Sequence, residues 1–535
     1  MHLLFPGRHQ LLTNFQFNYL HRIAQAGLGG ETDASGTAFG TNLPPLESVI
    51  FAVTSANHSH TRRNPLAFHL RAIQLEKFSG GLPVPAYIFG IDEVGMLDNF
   101  AAYTLKRLKH ESDGQFDLTP QNTVVVCSTP VMEMYETLGF RVLPAELADR
   151  KTQQFATDLP WDLVERIAQN EDNWLTDTHV LERMHPASLE VWRKYRLGDK
   201  VRMLFRDRII SDDGDITATR DYNSYVRQMD EIAELKFRET APFIRPGRIG
   251  DIGCAVGSWV RLACEEPLLR ESDFYGIEVA RHLYDICQQR KHNGEFANPF
   301  VFFAQKNAVT GLVFERASMH TIHTSSLTHE IESYGSRADL LAFIQNRHEE
   351  LAPGGLWINR DVVGPDNPGE EIIMQLNDAD GRNDDWERDF PDGEQLDEYL
   401  QKLSTQALFR RFTRDFRKKE GEVFDCEWIA KDGKSLARLR LRDACEFALK
   451  KDYTDNWQSE MHEKFCFWTF ADWKQHLEAA GFTVLPASAA YRNNWIVKNR
   501  LEGKVGLFKM KGAMLEPMEF PVTHLLLLAE KRVLQ

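Results

Sequence analysis

The sequence of 535 residues has no long apolar run. Its C-terminal stretch Leu525–Ala529 falls far short of the roughly 20 residues a helical span needs, so no membrane segment is expected. It has no excess of positive charge either: 63 Lys and Arg face 78 Asp and Glu, a formal net charge of −15. That balance argues against nucleic acid or an anionic membrane as an electrostatically held partner. The seven cysteines (Cys127, Cys254, Cys264, Cys287, Cys426, Cys445, Cys466) are odd in number and scattered. With no Cys-x-x-Cys and no Cys/His cluster at zinc spacing, reduced thiols, a cytoplasmic setting and no metal site are expected. The N-terminal Met1–Gly7 has no basic segment and meets Pro6 early, so no signal peptide is expected. Internal repeats and low-complexity tracts are absent. What is present is an ordinary globular composition, 43% hydrophobic and 26% charged, which suits several cores.

Apolar runs alternate with helical periodicity twice along the chain. In the first series Leu3–Phe5, Val49–Thr54, Val84–Ile91, Thr123–Cys127 and Phe140–Leu143 read as strands. A second series begins at Arg248, with strands at Ile249–Ile252, Phe274–Ile277, Val301–Ala304, Thr321–Ser325 and Leu356–Ile358. A segment of roughly 365–465 interrupts it before the helix Ala471–Ala480 and a last strand, Thr523–Leu528. Alternation of this kind predicts α/β architecture with parallel sheets. The expected boundaries are 1–175 for the first domain, 176–240 for a helical linker, and 241–535 for the second domain with its insertion. The acidic run Asp366–Glu394 and the basic run Phe409–Lys419 are expected to be solvated surface.

In the second series Asp251-Ile252-Gly253-Cys254-Ala255-Val256-Gly257 follows a strand and precedes a helix. Glycine at 253 and 257 lets backbone approach a ligand where a Cβ would clash. Glu278 closes the next strand, where an acid can accept hydrogen bonds from both hydroxyls of a ribose. Counted from Gly253, a dinucleotide loop would need glycine at Ala255 and Ser258, and neither is one; no Gly-Lys-Ser/Thr of a P-loop occurs. Asp-x-Gly-x-Ala/Gly-x-Gly followed by an acid resembles the Rossmann-like S-adenosylmethionine-dependent methyltransferases. Further pieces resemble that superfamily in order: Phe303–Ala308 its third-strand turn, Thr321–Ser326 its fourth strand, Leu351-Ala352-Pro353-Gly354-Gly355 the turn before its fifth, and Ala479–Phe482 the turn into its sixth. The resemblance implies S-adenosylmethionine as cofactor, with Asp251, Gly253, Ala255, Gly257, Glu278 and Asn307 around it. Gly253, Ala255 and Gly257 would border the methionine portion, Glu278 the ribose and Asn307 the adenine.

Methyl transfer from a sulfonium asks mainly for positioning and desolvation, and for a base only where the acceptor must lose a proton. Ser325–Tyr334 follows the fourth strand, on the side where an acceptor sits in this superfamily. His329 is the candidate base and Glu330 the residue that would orient it; Asp361 is a weaker candidate. Trp457, Glu460, Glu463 and Trp468, where the insertion returns, are candidates to cover the acceptor, and Tyr222 and Tyr225 to close over the cofactor.

In the first series Phe5-Pro6-Gly7-Arg8-His9-Gln10 follows the first strand, and Thr54–Thr61, Asn64-Pro65-Leu66 and Arg71 follow the second. This resembles the nicotinamide-nucleotide adenylyltransferases of the nucleotidyltransferase superfamily. Aligning Gly7-Arg8 with the family's Gly-Arg puts its two phosphate-facing histidines at Thr13 and Gln16, and its close-approach glycine at Phe15. Neither Thr nor Gln is cationic, so adenylyl transfer is not expected, although His58 and His60 remain candidates to touch a nucleotide. The expectation is two tandem Rossmann-like α/β domains, nucleotidyltransferase-like then methyltransferase, with an α+β insertion in the second. The expected acceptor is a small molecule, recognised in part by a nucleotide-binding N-terminal domain. The alternatives are a non-catalytic nucleotide and S-adenosylmethionine sensor, or a bifunctional adenylyltransferase–methyltransferase.

Overall fold

The computed structural model describes residues 1–94, 99–129, 131–170, 173–206, 222–390, 393–512 and 514–532, with the side chains of 222–229, 231 and 393–394 outside the described set. The chain divides into two compact units, mainly Met1–Asp207 and Asp215–Gln535.

In the first unit β1 (His2–Gly7), β2 (Ser48–Thr54), β3 (Ala86–Ile91), β4 (Thr123–Val126) and β5 (Arg141–Leu143) form one parallel sheet in the order β3-β2-β1-β4-β5. Helices Asn14–Ala26, Phe68–Ser79, Phe100–Glu111 and Met132–Thr137 connect them. The middle of β2, Val49–Val53, is wholly buried, as a strand covered on both faces must be. A small ribbon of β6 (Leu147–Asp149) and β7 (Gln154–Phe155) follows.

The expected boundary at 175 is displaced. Helices Thr178–Arg183, Pro186–Lys194 and Leu197–Arg206 are not a linker but part of this unit. Their Val180, Val191, Trp192, Leu197 and Val201 join Leu11, Leu66, Leu70, Leu163 and Ile167 in one core. Helix Tyr222–Thr240 belongs to the second unit, where Phe237 packs on Trp259.

The second unit is built on β8 (Arg248–Ile252), β9 (Asp273–Glu278), β10 (Val301–Gln305), β11 (Met319–Ser325) and β12 (Leu351–Val362), all parallel. The sheet order is β10-β9-β8-β11-β12-β20-β16, where β16 is Phe482–Val484, and β20 (His524–Lys531) runs antiparallel to β12. The insertion carries β13 (Glu371–Leu376), β14 (Glu427–Lys431) and β15 (Lys434–Arg440). After β16 (Phe482–Val484) and β17 (Ala489–Tyr491), β18 (Val505–Lys511) and β19 (Met514–Met518) return to it. These make a separate antiparallel sheet, β14-β15-β13-β18-β19. The insertion is therefore discontinuous, drawing on residues past 465, with β18 paired to the edge of β13 that β15 leaves open.

Pro353-Gly354-Gly355 is not a turn before the fifth strand but a bulge inside it. Met319 pairs with Leu351 and Thr321 with Leu356, so five residues of β12 answer two of β11. A Cβ at Gly355 would lie 2.6 Å from the Met319 carbonyl oxygen, which excludes other residues there. The basic run is not a solvated patch: Arg411 and Arg417 are buried, Arg411 paired with Asp415, while Arg414 pairs with Asp389 of the acidic run.

Strand order reverses between β8 and β11, and an open α/β sheet leaves a crevice outside the carboxyl ends of its strands at such a point. One wall of that crevice is fixed by a fully buried ion pair. Arg347 Nε and Nη2 meet the Glu350 carboxylate at 2.7 and 2.9 Å, and Glu350 Oε1 accepts from the amides of Val313 and Phe314. Arg347 Nη1 also donates to the Ala308 carbonyl at 3.3 Å, so the pair holds the turn after β10. Removing one partner of a buried pair strands the other charge and costs about 3–5 kcal/mol. Arg347→Met is expected to lower the denaturation midpoint of the full chain accordingly, read by tryptophan fluorescence.

Candidate functional site

The crevice opens into a cavity of about 880 Å³ in the second unit. Asp251, Gly253, Ala255, Glu278, Asn307, His329 and Glu330 line it, so seven of the eight expected site residues come together; Gly257 stands behind them as the N-cap of helix Ser258–Glu265.

The loop after β8 holds its shape through three left-handed residues, Gly253 (φ 71°), Ala255 (φ 49°) and Gly257 (φ 75°). Left-handed backbone is cheap for glycine and costs an alanine, so Ala255 needs outside support. The Ala255 amide donates to Glu278 Oε2 at 2.8 Å, and the amides of Gly253 and Cys254 both donate to the Ile277 carbonyl. The loop is thereby tied to the end of β9.

Glu278 itself is buried. Its other oxygen accepts from the amides of Val279 and Ala280, each at 2.8 Å. Burial outweighs these hydrogen bonds and pushes its carboxyl up to about 7. Asn307 Oδ1 accepts from the Val309 amide at 2.9 Å, which sets the turn after β10. Asp251 does not lie open to the cavity alone: its Oδ1 meets His323 Nδ1 at 2.7 Å. His323, from β11, stacks on Trp259 at 4.0 Å between centroids, and its buried Nε2 has no hydrogen-bond partner among the described residues. Lys236, from helix Tyr222–Thr240, donates to Ser326 Oγ at 3.2 Å, and burial lowers its ammonium to about 8.

His329 stands in the first turn of helix Thr328–Tyr334, which begins where β11 ends. Its Nδ1 meets Asp361 Oδ1 at 2.6 Å and its Nε2 faces Glu463 Oε2 at 3.4 Å, with Phe465 edge-on to the ring. The orienting carboxylate on Nδ1 is thus Asp361 of β12, the part the sequence reading gave to Glu330. Glu330 projects into the same cluster: one ligand atom each of His329, Glu330 and Glu463 lies within 4.8 Å of the others. Burial disfavours the imidazolium, but the carboxylates of Asp361 and Glu463 outweigh it and hold the ring well above its ordinary pKa.

Of the covering residues, Glu460 and Glu463 line the cavity, together with Asp397, Asp452, Asp455 and Arg500. Trp457 and Trp468 are core residues instead: Trp457 Nε1 donates to Asp415, and Trp468 stacks on His476. The side chains of Tyr222 and Tyr225 lie outside the described residues. Sequence reasoning missed His323 and Lys236. A signal for the first existed, since β11 reads Met-His-Thr-Ile-His-Thr-Ser and a buried strand rich in polar groups is unusual.

In the first unit the two positions aligned with phosphate-facing histidines are spent on helix capping. Thr13 Oγ1 accepts from the Gln16 amide at 3.1 Å, and Gln16 Oε1 accepts from the Thr13 amide at 3.2 Å. Gln16 also donates to Glu146 at 2.9 Å. Arg71 is fully buried and donates to the carbonyls of Arg8, Thr54, Ser55 and His58. His58 Nδ1 lies 3.5 Å from Glu93, and His60 is exposed against Ser59.

No family model matches the chain, and no curated protein matches it. Among solved structures, a S-adenosylmethionine-dependent methyltransferase from Methanosarcina mazei is 11% identical, with a TM-score of 0.29 over 55% of this chain and 98% of that one. Geranyl diphosphate C-methyltransferase from Streptomyces coelicolor is 7% identical, with a TM-score of 0.29 over 59% and 86%. The [4+2]-cyclase SpnF is 15% identical, with a TM-score of 0.24 over 57% and 82%.

The raised pKa of Glu278 has a consequence for stability. The unfolded carboxyl ionises near 4.3. Between that value and about 7 the folded state binds the proton more tightly, so stability falls as pH rises through this window. The loss is on the order of 3 kcal/mol. Glu278→Gln cannot ionise, so its stability relative to wild type is expected to improve by that amount from pH 4 to pH 8 in parallel denaturation curves.

Proposed function

We propose that the second unit is a S-adenosylmethionine-dependent methyltransferase acting on a small-molecule acceptor. The observation that carries this reading is the single cavity at the β8/β11 reversal, lined at one end by the glycine loop and Glu278 and at the other by His329 and the insertion. Two features favour a nucleoside-bearing ligand there. The loop carries glycine at two of its left-handed positions, where no Cβ stands between backbone and a ligand. A buried carboxyl at the end of β9 matches the hydrogen-bonding pair of a ribose.

When bound, the sulfonium supplies an already activated methyl group. The chain then has to bind, orient and exclude water. Glu278 would receive the ribose, and Gly253 and Ala255 would border the methionine portion. Asn307, whose Oδ1 accepts from the Val309 amide, would face the adenine. The acceptor would lie between helix Thr328–Tyr334 and the insertion, where Glu330, Tyr334, Tyr453 and Glu463 line the cavity.

For the first unit the proposed role is nucleotide binding without adenylyl transfer. The capping of Thr13 and Gln16 and the burial of Arg71 support the absence of adenylyl transfer, since none of these positions offers a cation to a triphosphate.

Calorimetric titration of the full chain with S-adenosylmethionine and S-adenosylhomocysteine tests the main reading. Glu278→Ala removes a charged hydrogen-bond partner worth about 1.5–3 kcal/mol, so affinity is expected to fall ten-fold or more. Because ribose hydroxyls donate to the ionised carboxylate, wild-type affinity should rise as pH increases through about 7 and flatten above it. A folded wild type that binds neither ligand rejects the methyltransferase reading. Incubation with ATP, Mg²⁺ and nicotinamide mononucleotide is expected to release no pyrophosphate; release would overturn the reading of the first unit.

A further inference from the structure

The cluster around His329 has a feature that methyl transfer by itself does not require. One ring nitrogen of His329, a carboxylate oxygen of Glu330 and a carboxylate oxygen of Glu463 lie within 4.8 Å of one another. Nε2 and Glu463 Oε2 are 3.4 Å apart. Two ligand atoms each about 2.1 Å from a common centre would be separated by that distance at an angle of about 108°, close to the tetrahedral value. The other ring nitrogen is held by Asp361 at 2.6 Å. A metal-bound histidine commonly gives its second N–H to a carboxylate in this way, which fixes the ring's orientation.

Asp361 is well supported in that supporting position. Its Oδ2 accepts from the amide and hydroxyl of Thr328, and its Oδ1 from the Val362 amide, so β12 and helix Thr328–Tyr334 are locked together. Glu463 is fixed as firmly. Tyr334 Oη donates to its Oε1 at 3.1 Å, and the buried Lys450 donates to its backbone carbonyl. Glu446 accepts from the amides of Phe465 and Cys466, which anchors the chain just beyond it.

An independent observation points to the same kind of occupant. Asn456 lines the cavity from the segment that leads into Glu463, is 9% exposed, and its Oδ1 has no hydrogen-bond partner among the described residues. A buried amide oxygen can only accept. It is also an ordinary ligand for hard cations, directly or through a bound water.

We propose that His329, Glu330 and Glu463 hold a divalent cation of the Mn²⁺ or Mg²⁺ type, with open positions toward the cavity that water or acceptor oxygens fill. One imidazole and two carboxylates are a mixed nitrogen and oxygen set, which suits a metal that takes both. The site joins helix Thr328–Tyr334 to the far end of the insertion, which explains why no ligand spacing announces it. The proposal does not depend on the cofactor reading, since the three side chains belong to the acceptor end of the cavity.

The test is Mn²⁺ alone added to the metal-stripped full chain, with no S-adenosylmethionine present. Electron paramagnetic resonance of free Mn²⁺ should show one ion bound per chain, and electron spin-echo modulation should show one imidazole nitrogen on it. Glu463→Gln and Glu330→Gln should each weaken binding at least ten-fold, and His329→Gln should abolish the nitrogen signal. Glu330 is the least buried of the three, so Glu330→Gln remains decisive if the other variants fail to fold by circular dichroism. Absence of stoichiometric binding, binding indifferent to Glu330→Gln, or bound Mn²⁺ without a nitrogen signal would overturn the proposal. Failure of S-adenosylmethionine to bind would leave it standing.

Discussion

The carboxylate of Asp361 is the point on which the second unit's site depends. It sits at the end of β12 and collects donors from the Thr328 amide and hydroxyl, the Val362 amide and the His329 ring. These bonds and the charge of His329 outweigh the cost of burying it and bring its pKa down to about 2. A buried anion needs such a shell, because any donor removed leaves charge in a poorly solvating interior. The shell fixes where β11 gives way to helix Thr328–Tyr334, and so fixes where His329 and Glu330 project. On the other flank, the Arg347–Glu350 pair does the same for the turn carrying Asn307. Between them the loop tied to Ile277 and Glu278 completes the cavity wall. Three buried carboxylates thus position three different loops around one space.

Much of this was legible in the sequence where a residue type is forced by backbone geometry. Gly253 and Gly257 were readable because left-handed backbone selects glycine, and Glu278 because it closes a strand next to that loop. Alternation of apolar runs and helices located the parallel strands of both units to within a few residues. The pairing partners were not readable. His329 was found by its place after β11, but Asp361 and Glu463, which determine its state, reach it from β12 and from the far end of the insertion. Distance along the chain hides such contacts, so Glu330, the neighbour in sequence, was readable as an orienting group while Asp361 on Nδ1 was not.

The boundaries failed for a related reason. Helices after residue 175 have the polar and apolar pattern of any surface helix, and only the core they share with Leu11, Leu66 and Leu70 shows where they belong. In the same way β18 completes a sheet begun by β13 more than a hundred residues earlier in the sequence, and no local pattern reports an edge waiting for a partner. Pro353-Gly354-Gly355 looks like a turn because its residues are turn formers. The bulge it makes differs from a turn only in that β11 runs alongside without a break.

The first unit shows how a crevice of the same general design is used differently. Its sheet order also reverses, between β1 and β4, and Gly7, Ser55 and Ser128 lie near the ends of its strands. Yet the polar groups there bind one another. Thr13 and Gln16 cap their own helix, Gln16 and Ser128 share Glu146, and Ser55 bonds to Glu93. Arg71 carries a fully buried guanidinium, and its charge is directed at four backbone carbonyls. A guanidinium buried among neutral dipoles stays because each carbonyl offsets part of its lost hydration, and burial brings its pKa down to about 10. Turning that fork toward a phosphate would require breaking the bonds that hold the loops after β1 and β2 in place. The same residues that would be expected to face a nucleotide are therefore what keeps this unit folded.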